Sequence, residues 1–259
     1  MLKLENTGVF GWEATIRGMR NPMNSWNKSD SGWCPNGTGY GACYFDHRPI
    51  CVHRGDDECI EKCEPKFCIG PNDLKLMKSL SKAGNDHAKF LRMINVTVDI
   101  TAPLYWWKEF DTYKVGTVAN SCSTMHKIHE KEFTIDDFSH EHLIVTDSVN
   151  HICDMVAWLQ TQIDVLNEWR RAFLDVKNSD VSSESAKRYW WQMIQLLPSS
   201  YNQKRTVQLN YQVLKSMYFA RKDHKLDEWH ILCDWMLTLP YFKEVCVDTN
   251  IKEDDERNA

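Results

Sequence analysis

Cysteines are the residues of this 259-residue chain that most clearly suggest chemistry, since ten are present. Thiolates at high local density are typical ligands of zinc or an iron–sulfur cluster, and a metal would cross-link a segment that has little apolar sequence of its own. The spacing contains no Cys-x-x-Cys pair, so free or half-buried thiols are the alternative interpretation. The candidate metal ligands lie in one segment rich in glycine and proline, at Cys34, Cys43, Cys51, Cys59, Cys63 and Cys68.

Other nucleophiles and bases are scattered along the chain. His126 and His129 are three residues apart, and no His-Glu-x-x-His pair occurs. Cys122 lies between two serines, but no partnered base is recognisable, and we predict a buried structural thiol there. Glycine-rich phosphate-binding fingerprints are also missing from the sequence. Motifs of general type therefore identify no catalytic centre.

Composition narrows the class of protein. The chain has 31 Lys and Arg against 36 Asp and Glu, a formal net charge of −5. A mildly acidic chain is not expected to bind a nucleic-acid polymer or an anionic membrane by charge alone. No apolar run approaches the roughly 18 residues of a membrane span, and no signal-peptide pattern opens the sequence. We therefore expect a cytoplasmic protein with reduced thiols.

The elements that position these residues can be predicted from hydrophobic periodicity. Residues 2–26 indicate a short strand followed by a helix, and Pro71 begins a helix that Gly84 ends. The clearest strand spans residues 94–100, where apolar and polar side chains alternate. Thr101 is predicted to cap the next helix, with Pro103 in its first turn.

The longest periodic signal covers residues 141–176, where apolar side chains recur mostly at steps of three and four. It predicts one long helix with an apolar seam that packs on a partner, either another helix of the same chain or a second subunit. Further helices are predicted at residues 185–197, 209–220 and 226–239.

No internal repeat or linker divides the chain. We therefore predict one domain over residues 1–259, with a helix-rich α+β fold built from a long central helix and a small sheet. The cysteine-rich segment, at about residues 32–70, would be an insertion in this domain. The polar residues 251–259 would form a disordered tail.

The block from Asp86 to Met125 resembles the flavin-dependent thymidylate synthases. In that family a Gly-His precedes a strand, Ala-Pro opens a helix that ends in Arg-His-Arg, and a serine-containing signature follows. Here His87 stands at the histidine, and Ala102-Pro103 open the helix at the same distance downstream. Lys114 is the one basic residue left in the Arg-His-Arg slot. The signature then continues as Thr117, Asn120 and Ser123.

A second stretch, residues 197–221, resembles the family's Leu-Pro, Asn-Leu-Arg and Leu-Arg segment without a gap. Pro198, Asn210 and Arg221 fall in register with it. The order of elements between the two stretches also fits the family. The cysteine-rich segment has no counterpart that can be placed.

The resemblance implies a fold, a cofactor and a reaction. Members of the family are similar in being homotetramers that bind FAD between subunits. They transfer a methylene group from methylenetetrahydrofolate to carbon 5 of dUMP, and then a hydride from the reduced flavin. The resemblance therefore implies FAD as cofactor, a pyrimidine nucleotide as substrate, NADPH and methylenetetrahydrofolate as co-substrates, and a tetramer as the assembly.

Site residues follow from the same resemblance, position by position. Arg221 would be the catalytic residue, because its planar fork can pair with a pyrimidine edge and stabilise negative charge on the base. A surface arginine at a helix end is the alternative interpretation. The flavin-contacting positions are His87, Lys114, Asn210 and Ser216. The nucleotide-contacting positions are Glu109, Ser123 and Arg221.

Several arginines of the family are replaced in this chain. Phosphate groups need cationic or amide donors, and each lost arginine removes a charge-assisted pair that contributes about 1.5–3 kcal/mol. Their loss should abolish binding unless other cations substitute, and a non-catalytic nucleotide-binding or structural descendant of the fold is therefore the alternative to a divergent enzyme. The arginine positions hold Thr112, Met125, Ile194 and Gln212. The candidate substitutes are Lys108, Lys127, Lys204 and Arg205.

Overall fold

The computed structural model describes residues 2–33, 67–145, 154–179 and 183–250. The strands are β1 (Lys3–Phe10), β2 (Gly32–Trp33), β3 (Phe67–Cys68), β4 (Asn95–Pro103), β5 (Val118–Ser121) and β6 (Asn202–Asn210). The helices are α1 (Trp12–Arg20), α2 (Pro71–Lys82), α3 (Leu104–Phe110), α4 (Thr124–Lys127), α5 (Met155–Lys177), α6 (Ser183–Leu196), α7 (Tyr211–Arg221) and α8 (Asp227–Thr238). The predicted helix-rich α+β fold with a small sheet is therefore confirmed.

Four strands form one sheet in the order β1-β4-β6-β5, and β2 pairs antiparallel with β3. The chain divides into two compact units. The first unit comprises Met1–Thr7, Val98–Lys114 and Val118–Val207, and the second comprises Gly8–Thr97, Val115–Thr117 and Gln208–Ala259. Single-domain organisation stays a prediction. The predicted tail at residues 251–259 and most of the predicted insertion lie outside the described residues.

In the first unit, α5 packs on α6. The seam residues Leu159, Ile163, Leu166 and Phe173 are buried in one cluster with Met193 of α6. Another helix of the same chain therefore covers the seam, which was one of the two partners that the sequence allowed.

The predicted beginning of this long helix is wrong. Residues 141–145 are not helical, residues 146–153 lie outside the described ranges, and the helix begins at Met155. Asp154 is its N-cap, since the carboxylate accepts hydrogen bonds from the amides of Val156 and Ala157 at 2.9 and 3.0 Å.

Two further boundaries differ from the prediction. Thr101 does not cap α3, because the backbone stays extended through Pro103. The first amides of α3, those of Leu104 and Tyr105, donate instead to the carbonyls of Tyr201 and Ser199, each at 3.0 Å. The predicted helix at 209–220 begins two residues late, at Tyr211, because strand β6 runs through to Asn210.

A buried ion pair joins α1 to α2 in the second unit. Arg20 Nε donates to Asp73 Oδ1 at 2.6 Å, and the hydroxyls of Ser29 and Ser31 donate to Asp73 Oδ2, both at 2.7 Å. Burial acts to raise the pKa of Asp73, but the hydrogen bonds from Ser31, Ser29 and Arg20 hold it below its ordinary value. The carboxylate therefore stays charged and fixes the segment around Ser29–Ser31 against both helices.

A buried histidine lies beside α5 in the first unit. His129 is 9% exposed, its Nε2 lies 3.2 Å from Nζ of Lys177, and its ring packs on Phe173 with centroids 4.7 Å apart. Among the described residues, no hydrogen-bond partner reaches its buried Nδ1. Burial lowers the pKa of His129, and the positive charges of Lys177, Lys127 and Arg170 lower it further against the opposing effect of Glu130.

We expect His129 to make the free energy of unfolding depend on pH. Because its folded-state pKa is lowered, the unfolded chain binds the proton more tightly. The contribution of neutral His129 to the free energy of unfolding is complete above the unfolded-state pKa of about 6.5, and it is lost as the pH falls through the folded-state pKa. Urea denaturation between about pH 5 and 7.5 measures this. His129→Phe should flatten the profile, and His126→Phe at an exposed position is the control. Equal slopes for wild type and His129→Phe would contradict the expectation.

Candidate functional site

Asn210 occupies the junction between β6 and α7 in the second unit. Its side-chain oxygen accepts a hydrogen bond from the amide of Val213 at 3.1 Å, which makes it the N-cap of α7. The next amide, that of Tyr211, donates to the carbonyl of Ile94 at 3.1 Å. The position of Asn210 is therefore fixed by the backbone, and its Nδ2 is not used by the cap.

Gly116 lies beside the amide group of Asn210. Its φ is +80°, and a Cβ atom there would come within 3.0 Å of Asn210 Nδ2 and 3.1 Å of Val213 Cγ2. A side chain would therefore crowd the donor end of the amide, and glycine keeps this space open. The sequence analysis did not single out Gly116, because its importance depends on a neighbour 94 positions away, at Asn210.

Ser216 and Phe219 are exposed on one side of α7. The Ser216 hydroxyl donates to the carbonyl of Gln212 at 3.1 Å, which leaves its oxygen able to accept. The helix also packs against a 3-10 turn, Ala88–Arg92, and exposed His87 is the residue that precedes this turn. Three residues predicted to contact a flavin, Asn210, Ser216 and His87, therefore lie on or next to one helix and the turn packed on it.

Lys215 is a residue of α7 that the sequence analysis missed. It is 8% exposed, and burial lowers the pKa of its ammonium group. No local motif marks a lysine on the buried side of a helix.

Arg221 is the last residue of α7 and is half-buried. Its guanidinium carbon lies 4.7 Å from the ring centre of Trp229, which is fully buried in α8. This distance is typical of a cation–π contact. The ring of His224 packs edge-on against the same tryptophan at 6.2 Å. The guanidinium is therefore held on a rigid aromatic support, unlike a freely solvated arginine at a helix end.

The other predicted contacts belong to the first unit. Glu109 is half-buried in α3, and Lys114 is exposed just after that helix. The hydroxyl of Ser123 accepts from the amide of His126 at 3.1 Å and so caps the short helix α4. Ser123 thus has a structural partner of its own.

Most of the candidate substitutes for the lost arginines are paired with carboxylates. Lys204 Nζ lies 3.1 Å from Asp99 Oδ2, and Arg205 Nη1 lies 2.8 Å from Asp111 Oδ1. Hydrogen bonds from Thr206, Asn6 and Lys204 lower the pKa of Asp99 to about 2, so this carboxylate stays charged. A third substitute, Lys127, donates to Glu130. Lys108 is exposed on α3.

The cysteine predictions have different outcomes. Cys122 is exposed, so the predicted buried thiol is wrong. Its amide donates to the carbonyl of Lys204 at 2.9 Å, which pairs the backbone here with β6 and leaves the side chain outside the core.

Cys68 is half-buried in β3, and the other candidate metal ligands lie outside the described residues. Within the described ranges, no group of three or more His, Cys, Asp or Glu side chains could hold a metal ion. Metal binding by the cysteine-rich segment stays a prediction.

A surface cavity of about 740 Å³ in the second unit is lined by none of the predicted site residues. It lies instead beside the buried ion pair, with Arg20, Lys28 and Asn72 in its wall. None of the described helices combines the length and the apolar character needed to cross a membrane.

Comparison with solved structures shows that the chain has the fold of the flavin-dependent thymidylate synthases. The chain is similar to the crystal structure of that enzyme from Helicobacter pylori complexed with FAD and dUMP, with a TM-score of 0.57 and 13% sequence identity over 95% of this chain and 99% of that chain. A second structure, thymidylate synthase X from Helicobacter pylori with FAD and dUMP, gives a TM-score of 0.55 and 14% identity over 96% and 99% of the two chains. No protein-family model and no curated protein matches the sequence. The resemblance inferred from the sequence is thus confirmed at the level of the fold.

We expect Gly116→Ala to destabilise the protein more than Gly84→Ala does. Both glycines have positive φ, +80° and +103°, so alanine strains the backbone at either position. A Cβ at Gly84 meets nothing within 4 Å, whereas at Gly116 it crowds Asn210 and Val213. Disturbing the cap of α7 should lower the free energy of unfolding of Gly116→Ala by about 1 kcal/mol more. Urea denaturation of both variants measures the difference, and equal losses would contradict this account.

Proposed function

We propose that this chain is a divergent FAD-dependent methyltransferase that acts on carbon 5 of a pyrimidine ring such as that of dUMP. Methylenetetrahydrofolate would be its carbon donor and NADPH its reductant. The observation that supports the proposal most strongly is the match of fold along 95% of the chain to an enzyme whose crystal structure contains FAD and dUMP. Asn210 and Arg221, which fall in register with the family, lie at the two ends of one helix.

The polar groups around α7 suit the polar edge of a flavin. A flavin ring has carbonyl oxygens that accept hydrogen bonds and a ring N–H that donates one, so it needs both kinds of partner. Asn210 offers an amide donor beside Gly116, and Ser216 offers an accepting oxygen. We assign His87 and Lys114 to the same cofactor. Bound FAD would supply the hydride that turns the transferred methylene group into a methyl group.

Arg221 would bind the edge of the pyrimidine. Its planar fork can donate to a carbonyl oxygen and to an adjacent deprotonated ring nitrogen, and its charge stabilises negative charge that develops on the ring. The contact with Trp229 restricts its orientation before the ligand arrives. We assign Glu109 and Ser123 to contacts with the rest of the substrate.

We further propose that the protein works as a cytoplasmic homotetramer. Because α6 covers the apolar seam of α5, an assembly would use another side of α5. Trp158 and Val165 lie two turns apart on that helix and are 58% and 36% exposed. They are the side chains that a second subunit would cover.

A non-catalytic descendant of the fold is the second candidate function. It is favoured by the neutral residues at the family's arginine positions and by the ion pairs that occupy Lys204 and Arg205. Such a protein would bind a nucleotide or a partner without holding a flavin.

Absorbance between about 300 and 600 nm distinguishes the two candidates, because oxidised flavin absorbs strongly there. We expect the purified protein to show flavin peaks, and denaturation should release FAD. A protein that shows no flavin peaks after incubation with FAD and removal of the unbound cofactor would contradict the enzyme and favour the non-catalytic descendant.

We expect Arg221→Ala to weaken pyrimidine binding while FAD content stays unchanged. Loss of a charge-assisted hydrogen bond of about 1.5–3 kcal/mol corresponds to about 10- to 150-fold in affinity. Arg221→Lys should bind the pyrimidine more tightly than Arg221→Ala does and more weakly than the wild type does, because lysine keeps the charge and loses the planar fork. Flavin difference spectra recorded during titration with the pyrimidine measure the affinity. Arg17→Ala, at an exposed position of α1, is the control, and unchanged affinity in Arg221→Ala would refute the assigned role.

A further inference from the structure

The cavity beside the buried ion pair has the size of a small-molecule site. Its volume is about 740 Å³, and ligand pockets commonly measure about 300–1,000 Å³. One side is formed by residues 20–30, which follow directly from α1, and the other by Asn72 and Leu76 of α2. The whole wall therefore belongs to the second unit. It is called the α1–α2 cavity below.

The wall of the α1–α2 cavity is held in place by the two buried charges. Arg20 Nη1 and Nη2 donate to the carbonyls of Ser25 and Lys28 at 3.1 and 3.0 Å. Further along the same segment, the amide of Ser31 donates to Asp73 Oδ2 at 3.1 Å. The segment is thus bonded to the ion pair at several points along its length. A cavity wall that is ordered before a ligand arrives lowers the entropic cost of binding.

Hydrogen-bond donors are concentrated in this wall. Arg20 is only 5% exposed, yet it lines the cavity. A guanidinium carries several N–H donors in a planar fork, so it can keep the contacts described above and still donate to a ligand. Lys28 adds an exposed ammonium group, and the side-chain amides of Asn27 and Asn72 add neutral donors. Such a set of donors suits an oxygen that carries negative charge.

Carboxylates in the same place limit how much negative charge a ligand can carry. Asp30 lines the cavity, and its carboxylate accepts from the amides of Asn72 and Asp73 at 2.8 and 3.0 Å. Asp73 itself is paired with Arg20. These two carboxylates oppose the charges of Arg20 and Lys28, so a dianion such as a phosphate monoester would be repelled. A single negative charge is the better match.

The cavity also has an apolar part. Met23 lies in its wall and is 83% exposed, and half-buried Leu76 lines it from α2. An exposed methionine is a flexible and polarizable contact that adapts to apolar groups of different shape. A ligand that fills the cavity can therefore bury an apolar body here while its charged group meets the donors.

We infer that the α1–α2 cavity binds a small monocarboxylate that has an apolar body. The carboxylate accepts from Arg20 and Lys28, and the apolar body packs on Met23 and Leu76. The inference does not depend on the proposed function, because the predicted flavin and nucleotide contacts do not line this cavity.

Isothermal titration of the full chain with matched naphthalene derivatives tests the inference. We expect 2-naphthoate to bind about tenfold or more tightly than neutral 2-naphthamide, and more weakly at high salt. It should also bind at least as tightly as doubly charged 2-naphthyl phosphate. Equal affinities of the acid and the amide, tighter binding of the phosphate, or no binding of 2-naphthoate at about 1 mM would each overturn the inference.

Substitutions at Lys28 locate the bound carboxylate. Lys28→Met, of similar length and without charge, should weaken 2-naphthoate about tenfold and leave 2-naphthamide unchanged. Lys28→Arg should retain the affinity for 2-naphthoate. Lys75→Met removes a charge from an exposed position of α2 outside the cavity wall and is the control. Thermal unfolding verifies that each variant is folded. Unchanged affinity in Lys28→Met, or an equal loss in Lys75→Met, would contradict the assignment of the carboxylate to this cavity.

Discussion

The alternation of side chains along β4 is the constraint on which the rest of the sheet depends. Val96, Val98 and Ile100 are at most 1% exposed, and β4 lies between β1 and β6 in the sheet. A shift of one residue would bury Thr97 and Asp99 in their place, so the register has one favourable solution. That register presents Asp99 to Asn6 and Thr206 on the neighbouring strands. Just before β4, the carbonyl of Ile94 accepts a hydrogen bond from the amide of Tyr211, the first residue of α7.

Elements with local signals could be predicted from the sequence. Pro71 and Gly84 bracket α2, and alternation identifies β4, because both signals lie within the element itself. Strand β6 was missed because its first half is polar, and only Val207 and Leu209 show an alternating apolar pattern. The beginning of α5 was misplaced because apolar spacing before residue 154 fitted a helix equally well, although Asp154 is itself a local capping signal.

The site could be predicted less completely than the fold. A resemblance could locate Asn210 and Arg221 on the chain, and the structure adds what holds them, the cap of α7 and the ring of Trp229. The space beside Gly116 depends on contacts between distant positions, which no sequence window contains. Buried apolar faces determine a fold, whereas exposed residues such as Met125 are unconstrained by the core. A fold can therefore persist at 13% identity.

The short ladder of β2 and β3 has a consequence for how this chain can vary. Gly32 is paired with Cys68 and Trp33 with Phe67, so the positions on either side of residues 34–66 are neighbours in the structure. The rings of Trp33 and Phe67 pack edge-on at 5.5 Å, and Asp30 caps α2 just beyond the ladder through the amides of Asn72 and Asp73. Loop-closure entropy grows by only about 0.6 kcal/mol for each doubling of loop length. This junction can therefore accept sequence of very different length, or a whole foreign domain, without a change in the core that carries it.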